Sequence, residues 1–284
     1  MPEGDTIFRT ARTLDRALAG RTIVAFDTML APLAVVDRRE PIAGRTVCRA
    51  EARGKHLLLT LSGELVLRTH LRMHGAWHIY RPAERWRAPR RDVRIVLSTD
   101  TWIALAVNVS DAEFIASADL PRHERLSALG PDLLGSDFDA ADAVRRLRET
   151  PSRHIAEALL RQQSMAGVGN VYKSELLFLA GVYPYRPVAG VPDEVLRQIV
   201  ERARDLLVLN VRERGVIPAG ASGRVTTGRL NPREPLWVYG RAGQACFRCG
   251  TAIASEAETE GRRTYWCPSC QPEAAPDDRR VADR

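Results

Sequence analysis

The sequence predicts an α+β chain of more than one domain. The expected order is an N-terminal β-sandwich with flanking helices, a helical domain, and a C-terminal β-hairpin rich in cysteine. Three observations carry this reading. Period-two apolar runs fill residues 20–118, a helical period takes over after about residue 122, and four of the five cysteines crowd between 246 and 270. With 284 residues, 45% of them apolar, the chain can bury a sizeable core. The expected divisions are 1–121 for the sandwich, 122–235 for the helical domain, 236–271 for the cysteine module and 272–284 for a disordered polar tail.

The elements follow in order. Ile7, Ala11, Leu14 and Leu18 make one apolar helical face, with Asp5 placed as N-cap and Gly20 as the stop. HLLLTL from residue 56, the turn Ser62-Gly63-Glu64 and LVLRTHL from residue 65 read as a hairpin. DVRIVLS from residue 92, the turn Thr99-Asp100-Thr101 and WIALAVNV read as a second. Helices are expected within 130–149, 155–163, 171–181 and 192–215, the last opened by Pro192. Residues 215–235 hold Gly, Pro, Thr and Ser with little periodicity and read as a loop.

Composition excludes several classes. No stretch approaches the roughly 18 apolar residues of a membrane span, and MPEGDTIFRT lacks the apolar core of a secretory signal. The cysteines do not form a distributed disulfide framework, so a reducing cytoplasm is expected, with Cys48 buried as a small apolar residue. The net charge is +7, and only Lys55 and Lys173 are lysines among 42 basic residues. Arginine grips phosphate with paired hydrogen bonds, which fits a nucleic-acid partner, although solubility alone also explains a basic surface.

Cys246-x2-Cys249 and Cys267-x2-Cys270 stand seventeen residues apart. Two such turns supply four soft ligands for one structural, tetrahedral zinc ion per chain. The alternative is a redox pair or two disulfides. The residues between read as two strands around a turn at Glu260-Gly261, with Arg262 and Arg263 near its tip. His70, His74 and His78 are four apart, but the β pattern and Gly75 argue against a helical metal site.

Five segments recur in order: Met-Pro-Glu-Gly-Asp-Thr at the start, Arg53-Gly54-Lys55-His56-Leu57, Ala166-Gly167-Val168-Gly169-Asn170-Val171-Tyr172, VYGRAGQACFRCG and RRTYWCPSCQ. Together they resemble the formamidopyrimidine-DNA glycosylase/endonuclease VIII family of base-excision repair enzymes. The Pro-Glu-Gly-Asp-Thr start resembles its actinobacterial endonuclease VIII branch. The resemblance implies a bifunctional DNA glycosylase/AP lyase that acts on damaged double-stranded DNA, with single strands left open, as a cytoplasmic, nucleoid-associated monomer.

The resemblance also implies roles. Pro2, freed of Met1, would attack the sugar through its secondary amine, and Glu3 would protonate the ring oxygen. Lys55 would assist elimination beside the lesion phosphates, and Arg262 would clamp them. Gly169 and Asn170 would lie in a helix–two-turn–helix motif, where Asn170 caps the helix or holds a phosphate. Met73 would wedge into the gap left by the flipped base, with His70 or Arg72 on a phosphate or base. Arg263 is an unaligned neighbour, and Lys173 reads as a solvated charge or phosphate contact.

The sequence departs from the family at three places. Thr6 stands where a glutamate is common, and Arg72-Met73-His74 stand where relatives carry Gln-Leu-Tyr. Glu113 replaces the arginine that reads an orphaned cytosine in the formamidopyrimidine branch, which points to oxidised pyrimidines. Two further readings remain: a zinc-finger protein that binds damaged DNA without chemistry, and an abasic-site lyase alone.

Overall fold

A computed structural model describes residues 2–212, 224–229, 234–258 and 262–273. The chain divides into two compact units, Met1–Gly135 and Ser136–Arg284.

The first unit opens with helix α1 (Gly4–Leu18), followed by β1 (Ala25–Thr28), α2 (Ala31–Arg39), β2 (Val47–Arg53), β3 (His56–Leu61), β4 (Leu65–His70), β5 (Ala76–Tyr80), β6 (Val93–Ser98), β7 (Ile103–Val107), β8 (Asp111–Ala116) and the short α3 (Glu124–Ser127). Two four-stranded antiparallel sheets form, in the orders β1-β6-β7-β5 and β2-β3-β4-β8. Both expected hairpins are present: Leu61 pairs with Leu65 across the first turn and Ser98 with Ile103 across the second.

The core lies where alternate side chains meet. Leu57, Leu59, Leu61 and Leu67 from one sheet join Ile95, Leu97, Ala104 and Ala106 from the other, and Ile7, Ala11, Leu14 and Leu18 of α1 complete the cluster. The outer faces are covered too. Leu58, Val66 and Ile115 pack under Leu126, and Tyr80, Val93, Leu105 and Val107 pack under Trp86. Burial on both faces explains why HLLLTL reads as continuous apolar sequence rather than strict alternation. Residues 122–135, drawn from the sequence into the helical domain, fold with this first unit, because Leu126 and Leu129 sit on β3, β4 and β8.

Three local expectations change. Asp5 does not cap α1; Glu3 holds the N-cap position, and Asp5 is buried in the first turn and paired with Arg9 at 3.1 Å. Helix α2 interrupts a stretch expected to be β. Cys48 is exposed: on β2 Val47 and Ala50 are buried and Ala52 packs against the core, while Cys48 and Arg49 face out.

The second unit carries α4 (Ala140–Glu149), α5 (Ile155–Leu160), α6 (Asn170–Leu179), α7 (Asp193–Val211) and the antiparallel pair β9 (Ala254–Ala257) and β10 (Arg263–Trp266). Asp139 caps α4, accepting from the backbone N–H of Ala141 and Asp142. Pro192 precedes α7 at its N-cap. The turn expected at Glu260-Gly261, most of the 215–235 loop and the tail from 274 lie outside the described residues. Among the described residues, no helix is long and apolar enough to cross a membrane.

Candidate nucleic-acid interface and metal centre

On the first unit, Pro2 is half-buried and Glu3 fully buried at the start of α1. The following Gly4 and Asp5 are buried as well. Lys55 sits in the two-residue turn between β2 and β3, where Arg53 pairs with His56. A turn this tight needs positive φ at its first central position, and Gly54 supplies it at 57°. The Gly54 N–H donates to Asp132 Oδ2 at 2.6 Å, which fixes the turn that presents Lys55.

His70 ends β4, and Arg72-Met73-His74 form the turn to β5. The Gly75 N–H donates to the Leu71 carbonyl at 2.8 Å, and a Cβ at Gly75 would run into that carbonyl. Arg72 has φ 51°, and the Met73 side chain stands in solvent at 49% exposure. An apolar side chain held out by a tight turn is the shape of a wedge.

Behind this turn lies a network that the sequence reading did not assemble. Arg68 of β4 is 1% exposed. The register sets it beside Glu113, and its neighbour two residues on, His70, beside both His56 and Asp111. Residues two apart share a face, so Arg68, His56, Asp111 and Glu113 meet on one surface of the sheet. Arg68 donates to Asp111 Oδ1 and Glu113 Oε1, each at 2.5 Å, and contacts His56 Nδ1 at 3.0 Å. Asp111 also accepts from Arg72 at 2.7 Å and Arg125 at 2.9 Å, and Glu113 meets His123 at 3.1 Å. A surface cavity of about 820 Å³ opens beside this network.

Charge and burial set the protonation states. Burial first, then His70 and Arg68, lower the His56 pKa to about 3. Burial lowers His70 to about 4, against the pull of Asp111, with Arg72 and Lys55 adding to the fall. Burial pushes Asp111 upward, but hydrogen bonds from Arg68 and Arg72 and the charges of Arg68 and Arg125 outweigh it, and its pKa falls to about 2. Both imidazoles are therefore neutral acceptors at neutral pH. The Arg68 and Arg72 contacts agree, since Arg72 N–H donates to His70 Nδ1 at 3.1 Å.

On the second unit, the loop before α6 is held by Gln162. Its amide donates to the Leu160 and Val168 carbonyls at 2.9 and 3.0 Å, and its oxygen accepts from Gly167 N–H at 3.0 Å. Gly167 has φ 115°, and Gly169 is the N-cap of α6. Asn170 opens the helix, and its side chain donates to the Arg263 carbonyl at 3.0 Å, tying the helix to β10. Lys173 is not solvated. It is fully buried, with Nζ 3.2 Å from both Glu258 oxygens and on the Thr264 hydroxyl. The helical face it occupies packs against the β9–β10 hairpin, so the charge is paired inside rather than hydrated. Arg262 is half-buried before β10; Arg263 is exposed and donates to Ser255 Oγ at 2.9 Å.

The sulfurs of Cys246, Cys249, Cys267 and Cys270 all lie within 4.8 Å of one another. Individual separations are 3.4, 3.5 and 4.0 Å. Disulfide sulfurs sit at about 2.05 Å, so these are four free thiols around a common centre. The four can hold one metal ion.

The chain is similar over nearly its whole length to known proteins. The pattern of the formamidopyrimidine-DNA glycosylase N-terminal domain matches residues 1–112, and that of the formamidopyrimidine-DNA glycosylase H2TH domain matches residues 129–218. The chain is 41% identical to a probable endonuclease 8 2 of Streptomyces coelicolor, covering 97% of this chain and 96% of that one. It is 42% identical to the DNA-(apurinic or apyrimidinic site) lyase Nei2 of Mycolicibacterium smegmatis, covering 95% and 99%. In fold it is similar to Lactococcus lactis formamidopyrimidine-DNA glycosylase, solved with DNA containing an AP site, at TM-score 0.80, 22% identity and coverage of 96% and 100%. The chain belongs to the formamidopyrimidine-DNA glycosylase/endonuclease VIII family.

Proposed function

We propose that this protein is a DNA glycosylase with AP lyase activity that removes oxidised pyrimidines. The observation that carries the reading is the pair Pro2-Glu3 at the buried start of α1, on a chain of this family.

The chemistry follows from those residues. Once Met1 is removed, the Pro2 nitrogen is a secondary amine whose lone pair attacks C1′ of the damaged nucleotide. The base departs with the electrons of the glycosidic bond and takes up the proton that the attacking amine loses. Glu3 gives its proton to the ring oxygen, and the ring opens to an iminium. A secondary amine cannot lose that positive charge, so the iminium draws electrons from C2′. A C2′ proton leaves, and the C3′–O bond breaks with its electron pair on the phosphate. A second elimination releases the sugar from the 5′ phosphate. Lys55, carried by the Gly54 turn, and Arg262 neutralise those phosphates. Met73 fills the space of the extruded nucleotide, and His70 and Arg72 hold the strand at the same turn. Asn170, Gly169 and Arg263 bind backbone phosphate from the second unit.

The thiol cluster fits zinc. Sulfurs about 2.3 Å from a tetrahedral ion stand about 3.8 Å apart, close to the separations between these four. Cys246, Cys249, Cys267 and Cys270 would hold it, and with four thiolates it supplies structure rather than a reactive water. The partner is double-stranded damaged DNA bound by a monomer.

Borohydride trapping tests the mechanism. Full-length, Met-processed protein is expected to form a covalent adduct with duplexes carrying thymine glycol or an abasic site, and Pro2→Gly to lose both. Absence of an adduct, or an unchanged adduct in Pro2→Gly, overturns it. A second reading, an abasic-site lyase without glycosylase activity, is favoured by Thr6 and by the name of the M. smegmatis relative. Trapping on abasic DNA alone selects that reading.

A further inference from the structure

Arg81, Arg85, Arg87, Arg90, Arg91 and Arg94 fall within one fourteen-residue segment, against two acids, Glu84 and Asp92. The segment contains none of the residues assigned to DNA chemistry above. Its course follows from the register. Tyr80 pairs with Ile103 and Ala76 with Val107, while Val93 also pairs with Val107. Strands β5 and β6 therefore flank β7 in the same direction, and the connection must run back along the whole strand. It does so over the outer face of the sheet, pinned by Trp86 and Ala88 on Tyr80, Val93, Leu105 and Val107.

With Trp86 turned inward, the first five arginines are exposed. Among the described residues none of the six is ion-paired. Several arginines elsewhere differ: Arg145, Arg146, Arg148 and Arg161 each hold a carboxylate. Arg81 instead stacks on Trp102 at 3.6 Å, and Arg90 lies 5.7 Å from Trp86. Stacking fixes the guanidinium plane and leaves its N–H edges free to bind an anion. Beside the strip is a cavity of about 310 Å³, lined by Met29, Trp86, Val93, Val96, Arg90 and Arg94, with Asp27 as its acid. Met29 at its rim is 67% exposed.

We propose that this strip and cavity dock an acidic peptide segment of a partner protein, anchored by one apolar side chain. Free guanidinium forks take carboxylates in pairs, and the cavity takes the anchor. Duplex DNA matches only the first feature, because its backbone offers phosphates and no apolar side chain.

Fluorescence anisotropy with the full chain tests this. The probe is a labelled hexapeptide of glycine, three aspartates, glycine and a C-terminal phenylalanine. Binding is expected to weaken with salt. It should fall about tenfold in Arg85→Glu/Arg90→Glu/Arg91→Glu, and about tenfold when the probe's phenylalanine becomes alanine. Arg90→Gln/Arg91→Gln, which adds no repulsion, should lie between. Borohydride trapping on abasic DNA should be unchanged in both variants, which separates this surface from the catalytic reading. Equal peptide binding by wild type and both variants overturns the proposal. So does a triple variant that loses affinity for duplex DNA while keeping the peptide, since the strip is then a DNA surface.

Discussion

Arg68 concentrates the electrostatics of the first unit. A buried guanidinium is costly unless its donors are used, and here two carboxylates and an imidazole use them. The same contacts set a pH dependence. His56 and His70 titrate near 3 and 4 in the fold but near 6.5 in the unfolded chain. Between these values the unfolded chain binds protons that the fold refuses, so stability falls as pH drops from 6.5 toward 3. Asp111, held near 2 against 3.8, extends the loss below pH 4. Urea unfolding at pH 7, 5.5 and 4.5 should show this decline, and His56→Gln, whose amide oxygen still accepts from Arg68, should flatten it. An unchanged slope in the variant would show that His56 does not carry the effect. Glu113 was legible in the sequence only as a missing arginine. Its contact with Arg68 depends on strand register, which spacing alone does not give.

At the scale of elements, α6 organises the second unit, with every residue from Asn170 to Phe178 buried. Glu175 is fully buried, and its carboxylate accepts from the N–H groups of Trp237, Val238 and Tyr239 at 2.7–2.9 Å and from the Thr226 hydroxyl. One side chain thus satisfies three consecutive backbone donors that have no strand partner. Replacing Glu175 with alanine should orphan them and cost about 3 kcal/mol or more, read as a lower urea midpoint at unchanged m-value. A loss below about 1 kcal/mol would mean that water replaces the carboxylate. The existence of α6 was readable from its apolar pattern and Gly181 stop. Its all-round burial was not, and so Lys173 read as a solvated charge or phosphate contact. Helix α2 went unread because Ala31–Arg39 buries only Leu33, too little to make a period.

At the scale of the whole molecule, the cysteine module is joined to the helical unit by polar ties. Asn170 reaches Arg263, Lys173 reaches Glu258, and Gln271 donates to the Val182 carbonyl at 2.8 Å. Losing the metal should therefore loosen more than a hairpin. Purified protein should contain one zinc ion per chain by elemental analysis. Cys267→Ser should lose it and weaken binding to abasic duplex about tenfold or more, because Arg262 and Arg263 lose their support. Zinc-free protein with full DNA affinity would contradict this. The affinity that remains should fall steeply with salt, as expected where arginines meet phosphates.

By itself, the sequence determined the hairpins, the helices after residue 122, the four-thiol centre and the family. The first three rest on local spacing: a period of two, a period near 3.6, or two residues between cysteines; the family rests on five motifs in order. Only the tertiary structure decided which charges are buried. As sequence, Arg68, Lys173 and Glu175 are charged residues like the arginines of 81–94, yet the former lie inside against partners, while five of the latter are exposed and, among the described residues, hold no carboxylate. The reason is physical. Burial of a charge is decided by the neighbours that strand register and helix packing bring from 45, 85 or 64 residues away, as Glu113 for Arg68, Glu258 for Lys173 and Tyr239 for Glu175.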